Sequence, residues 1–190
     1  MNLPRSLFVA FTMAVFLQRA VAAPALGPLG GSVETISKMP FSGLNIEAAN
    51  SSGSLRWAAW GEGPAGSQTV RLALLDTSGT TTTALWATAW PDAYGAALRP
   101  TPEWQFAGHQ LMAITMQFGA AAQQIDIYGL DEKNQPVRLA EKLGAAIGWA
   151  ADSSGDLILI VYSMPDSALV PACFGWNPAT SQLSPASCPG

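Results

Sequence analysis

The sequence predicts an all-β chain made of three repeats of a four-stranded antiparallel unit. Three observations lead there. Helical periodicity is nearly absent, and short runs rich in Val, Ile, Leu, Thr and aromatics are broken by Gly, Pro, Ser and Asp. The stretch SSGSLRWAAW (Ser51 to Trp60) has an echo in SSGDLILIVY (Ser153 to Tyr162), each joining a Ser-Ser-Gly turn to an apolar run. Charged residues make up 12% of the chain, about half the usual share, so the surface leans on Ser, Thr, Gln, Asn and Gly.

The first residues read as an export leader rather than as part of the fold. Arg5 supplies a positive start, Leu7 to Leu17 (LFVAFTMAVFL) an uncharged apolar core, and Ala20-Val21-Ala22 a small-x-small cleavage site. Cleavage between Ala22 and Ala23 leaves residues 23–190 as a single β-repeat domain. The apolar core is well short of the roughly 20 residues that a membrane-crossing helix needs, so no membrane span is expected after cleavage. The expected location is periplasmic or secreted. There Cys173 and Cys188 are expected to form a disulfide.

The repeat is read strand by strand. Strand A begins at Leu55, Leu111 and Leu157, and strand B follows as VRLALLD, IDIYGLD and CFGWN. This brings Asp76, Asp131 and Asn177 to equivalent turn positions, where a short polar side chain can bond the local backbone. Strand C starts near Thr82, Val137 and Leu183, and strand D carries Trp104 and Trp149. Leu44 to Asn50 fills the D position before the first A strand, giving units of about 44–104, 104–149 and 149–190. In MAITMQF, Met112, Ile114, Met116 and Phe118 face one way while Ala113, Thr115 and Gln117 face the other. LILIVY is apolar on both faces and is expected to be covered on both sides.

Four short strands per unit at this period is the spacing of β-propeller blades. IGWAADSSGDLILIVY resembles the D-strand, turn and A-strand of bacterial propeller repeats, whose usual turn is Trp-Ser-Pro-Asp-Gly; here the Pro and the Asp-Gly are missing. The resemblance implies a propeller-like domain closed by pairing the N-terminal strand with Gln182-Leu183. An irregular β-sandwich or barrel is the alternative. Three units is fewer than the four to eight of typical propellers, which leaves open a compact variant or a homo-oligomer.

Composition also narrows the function. The net charge of −4 becomes −6 when Arg5 and Arg19 leave with the leader, which disfavours nucleic acid and anionic membranes and suits a basic protein partner. His109 is the single histidine and has no ligand-spaced companion, no Gly-x-Ser-x-Gly elbow exists, and no cofactor motif is found. Asp92, Glu103, Asp126 and Asp156 are candidate carboxylates for glycoside hydrolysis only if folding brings them together. Asn50-Ser51-Ser52 is a glycosylation sequon.

Binding is therefore the expected role. The first unit holds about ten extra residues between strands C and D, namely Pro91 to Thr101 (PDAYGAALRPT), and insertions in repeats commonly form contact loops. Asp92, Tyr94 and Arg99 in that segment are the partner-binding candidates, with MPDSALVP (Met164 to Pro171) a second loop. Trp57 and Trp60 lie on opposite sides of their strand, and at least one is expected to be exposed. The expected activity is that of a non-enzymatic, exported protein-binding module of the periplasmic inhibitor or immunity type. A carbohydrate-binding or glycoside-hydrolysing envelope domain and a structural subunit of an envelope assembly are the alternatives.

Overall fold

The computed structural model describes residues 46–47, 54–62, 68–80 and 83–189. The leader with its Ala22/Ala23 junction and the sequon at Asn50 lie outside them. The described chain forms three antiparallel sheets, each made of four consecutive strands. The first holds β1 (Ile46–Glu47), β2 (Leu55–Glu62), β3 (Thr69–Asp76) and β4 (Thr83–Pro91). The second holds β5 (Ala93–Phe106), β6 (His109–Phe118), β7 (Ala122–Leu130) and β8 (Pro136–Gly144). The third holds β9 (Ala146–Ala151), β10 (Leu157–Ser163), β11 (Val170–Asn177) and β12 (Gln182–Ala186). Spatial order follows chain order in every sheet, the D-A-B-C arrangement that the repeats predict.

Local chemistry fixes the turns. Asp76 Oδ1 accepts the Ser78 N–H at 2.8 Å, and Asp131 Oδ1 accepts from both Lys133 and Gln135 at 2.8 Å. Asn177 Oδ1 accepts the Ala179 N–H at 3.0 Å. The three equivalent positions thus do the same work, the side chain replacing a backbone acceptor where the chain reverses. Cys173 and Cys188 are joined, tying β11 to the segment after β12.

The second sheet is the centre of the molecule. Met112, Ile114, Met116, Tyr128 and Leu130 point from it into a core shared with Trp57, Leu72, Leu74 and Trp90 of the first sheet. Leu111, Ala113, Ile125 and Ile127 point the other way, into a core shared with Leu157, Leu159 and Val161 of the third. The alternation read from MAITMQF holds, and both of its faces are buried. The outer sheets therefore lie on opposite sides of the second, and no ring closes among the described residues. β1 pairs with β2 (Ile46↔Ala58, Glu47↔Trp57), while among the described residues β12 pairs with β11 alone. This corrects the expected closure through Gln182-Leu183: the N-terminal strand completes its own sheet instead.

The segment Pro91 to Thr101 is not a loop. Its extra residues end β4 and lengthen β5 to 14 residues, paired to β6 from Ala93↔Phe118 to Thr101↔Leu111. Ala93 and Leu98 are buried against the first sheet, and Thr101, opposite Leu111, is buried on the other face, so the side chains alternate as those of a strand do. β5 lies at the edge of its sheet, where the missing N–H groups of Pro100 and Pro102 cost no ladder bond. Between Thr101 and Gln105 the register shifts by three residues. Such an irregularity turns the following side chains to the opposite face. Leu98 accordingly faces the first sheet and Trp104 the third.

The three sheets differ in how their strands face. Tyr128 and Leu130 face the preceding sheet, and so do Phe174 and Trp176. In strand A, Leu55 and Leu111 face the following sheet, but Leu157 faces the preceding one. A one-residue difference in pairing between strands A and B produces that reversal. On the outer face of the third sheet Ile158 is buried, while Ile160 and Tyr162 are half-buried.

The joint between the second and third sheets is a single residue, Ala145, whose N–H donates to Tyr162 O at 2.6 Å. A Cβ on Gly144 would stand 2.7 Å from that same carbonyl oxygen and 2.8 Å from Val161 Cγ1, whereas one on Gly148 would meet nothing closer than 3.5 Å. Gly144→Ala is expected to lower the unfolding free energy by about 2 kcal/mol in urea titrations, with Gly148→Ala within about 1 kcal/mol of the parent.

Candidate functional site

The residues singled out from the sequence do not converge. Asp92 sits exposed at the β4–β5 turn with a left-handed φ of 62°. Tyr94 is held in the β5–β6 ladder opposite Gln117. Arg99 is exposed but engaged, its guanidinium carbon 5.2 Å from the centroid of the Trp149 ring. Trp57 and Trp60 do lie on opposite faces of β2, yet they are only 1% and 2% exposed. The expectation that one of them is free is therefore corrected. Trp57 packs on Trp86 and Tyr128 in the inter-sheet core. Trp60 belongs to a separate cluster with Ala58, Ala73, Leu75 and Ala87 on the far face of the sheet.

Of the four candidate carboxylates, Glu103 and Asp156 share one cleft. It has a volume of about 480 Å³ and opens where the end of β5 meets the β9–β10 turn and the end of β11. Glu103, Asp152 and Asp156 stand around it, with Trp104, Trp176 and Gly175 among the remaining wall. Asp152 is committed to the turn, since its Oδ1 accepts the N–H groups of Ser154 and Asp156 at 2.8 and 2.9 Å. Trp176 donates its indole N–H to Gln105 O at 3.0 Å, which fixes the ring against β5. Trp104 and Trp176 stack with centroids 6.0 Å apart and planes at 23°. Trp104 also meets Trp149 at 5.4 Å, so Arg99, Trp149, Trp104 and Trp176 form one continuous row.

Sequence reasoning missed this row because it gave Trp104 and Trp149 the same repeat position, hence the same facing. The register shift in β5 turns Trp104 round, and the two indoles meet across the interface. The extra residues before Trp104 were the available signal, read as a loop rather than as a strand irregularity.

Asp126 occupies a different interface. Its side chain is fully buried on the face of β7 that looks toward the first sheet. Gln124 Nε2 donates to Oδ1 at 2.8 Å, and Arg138 lies 3.4 Å from Oδ2 while pairing with Glu141 at 2.8 Å. Burial pushes the Asp126 carboxyl up to about 6. The Gln124 hydrogen bond and the Arg138 charge hold it down only in part, and the Glu141 charge adds to the rise. Burial, then the charge of Asp126, pushes the neighbouring Tyr128 hydroxyl above its ordinary value. Trp57, Trp86 and Trp90 pack around Tyr128, and the Asp126 side chain beside it has no exposed surface to offer a substrate.

Among the described residues no group of three or more His, Cys, Asp or Glu is placed to hold a metal ion. His109 opens β6, half-buried, directly across from Phe106. No helix among the described residues is long and apolar enough to cross a membrane. Comparison with known protein families, curated proteins and solved structures finds nothing that matches this chain.

One consequence of the Asp126 cluster is measurable. A carboxyl raised from 3.8 to about 6 binds its proton more tightly folded than unfolded. Its contribution therefore favours the fold below pH about 4 and is lost as pH rises through about 6. Asp126→Asn removes that slope. Relative to the parent, the variant is expected to gain about 2 kcal/mol of stability between pH about 4.5 and pH about 7.5, followed by chemical denaturation at each pH.

Proposed function

We propose that this chain is an exported, non-catalytic protein-binding module that contacts its partner through the tip of the β10–β11 hairpin. One observation carries the reading. Leu143, Met164, Leu169 and Val170, between 47% and 63% exposed, gather at a single corner. They are brought together because Val170 pairs with Ser163, and the residues after Leu143 dock on Tyr162. Large apolar side chains grouped this way mark contact surfaces more often than chance exposure does.

The hairpin tip is also conformationally committed. Asp166 and Ser167 both have left-handed φ, 50° and 65°, around the short 3-10 turn Pro165–Ser167. Non-glycine residues adopt that region at a cost, and such costs concentrate where a loop shape matters. The apolar leader and the Cys173–Cys188 disulfide support export to the periplasm or beyond. The acidic balance favours a basic partner. The D-A-B-C order of every sheet supports reading the units as degenerate propeller blades. The carbohydrate reading through Trp57 and Trp60 has lost its platform, since both rings are buried.

The test uses the disulfide-bonded chain as bait in an extract of its own envelope and secreted fractions. The triple substitution Met164→Ser, Leu169→Ser, Val170→Ser is expected to abolish capture of a defined partner while leaving the β-sheet circular dichroism unchanged. Undiminished capture by the triple variant rejects the hairpin as the contact. A stable self-assembly in place of a partner favours a structural subunit.

A further inference from the structure

We infer that the cleft between β5 and the third sheet is a second binding site, distinct from the hairpin, and that it takes a guanidinium group such as the side chain of an exposed arginine. The two sites are at opposite ends of β10: Leu157 lines the cleft and Ser163 begins the hairpin. Over seven residues that is a separation of about 20 Å.

The ligand class follows from what lines the cleft. Glu103, Asp152 and Asp156 contribute three carboxyl groups, and no basic residue among the described ones lines it. The Asp152 carboxylate is spent on the turn. Those of Glu103 and Asp156 form no ion pair with another described residue, although both are exposed at the rim. An anionic cleft of this kind disfavours phosphates and carboxylates and attracts cations. Trp176 adds a flat aromatic wall, and a planar cation stacked on indole while its N–H groups meet carboxylates satisfies both.

The molecule already uses this chemistry on itself. Arg99 lies over Trp149 at one end of the indole row, and Lys142 lies 4.4 Å from the Phe174 ring centroid in the same interface. The row Trp149, Trp104, Trp176 is capped by the chain's own guanidinium at the first end and opens on the carboxylate cleft at the other. A ligand guanidinium would occupy the position at Trp176 that mirrors Arg99 at Trp149. Arginine suits it better than lysine, because its plane stacks and its fork reaches two oxygens together.

The disulfide-bonded chain would be titrated with acetyl-Gly-Arg-Gly-amide, following heat by calorimetry and the Trp176 indole N–H by NMR. The citrulline analogue would run in parallel as a neutral isostere. The expected result is saturable binding that moves the Trp176 resonance. It should be weakened at least about tenfold by citrulline and by the pair Glu103→Gln, Asp156→Asn. The remaining indole resonances of the Glu103→Gln, Asp156→Asn pair should stay unchanged, which reports an intact fold. Equal binding of the citrulline peptide, no movement of Trp176, or saturation by a neutral oligosaccharide with the same shift would each overturn the assignment. Hairpin substitutions leave this readout untouched, so failure here and failure of the hairpin reading are separately visible.

Discussion

Burial of the second sheet on both faces is the constraint on which the rest depends. β6 and β7 carry large apolar residues on both of their faces, and alternation sends them into two separate cores. A sheet of this composition cannot face water on either side, since each exposed Leu, Ile or Met side chain forfeits roughly 1.5–3 kcal/mol. It therefore recruits a cover on each face, and the sequence supplies one before it and one after it. The three-sheet stack follows from this requirement rather than from ring closure, which is why it is stable in outline with no pairing between the first and last strands.

The two interfaces that result are chemically different. Between the first and second sheets the packing is aliphatic and aromatic around Tyr128, with Asp126, Arg138 and Glu141 forming a charged inclusion. Between the second and third it is a seam of indoles and cations, with Arg99 over Trp149 and Lys142 over Phe174. Arg99 and Lys142 bring their apolar stems with them and keep their charged ends near water, an economical way to cover rings at the rim of a thin core. The first interface responds to proton concentration through a buried carboxyl; the second depends on geometry, because Trp104 reaches Trp149 only by virtue of the irregularity in β5.

The parts of the fold legible in the sequence were those set by local chemistry. Strand order within each sheet, the Asx-type turns at Asp76, Asp131 and Asn177, and the pairing of Cys173 with Cys188 all follow from side chains acting on near neighbours. What one sheet does to another was not legible. The extra residues at Pro91 to Thr101 looked like a loop because their count exceeded the repeat, but their alternating burial makes them strand. At least one of Trp57 and Trp60 was expected to be exposed because they point to opposite sides of β2, but the apolar cluster that covers Trp60 on the far face is assembled from three strands. Asp126, named among four carboxylates as candidates to converge, is instead buried between the first and second sheets, away from Glu103 and Asp156. The cleft was half legible: Glu103 and Asp156 were both named, but nothing local says that they meet.

The joints between sheets are short: Asp92 links the first sheet to the second, and Ala145 the second to the third. Within each sheet, every described connection is a hairpin, so the entropy of loop closure is small and each meander can assemble from neighbouring residues alone. Docking of finished sheets, rather than threading of distant strands, then sets the order of events as the chain folds. The second sheet can begin to form as soon as its own strands are present, but one of its faces remains uncovered until β9 to β12 arrive. During that interval Leu111, Ala113, Ile125 and Ile127 form an exposed apolar surface. The chain is therefore most vulnerable to aggregation when it is three-quarters complete, and anything that delays its last forty-odd residues prolongs that exposure.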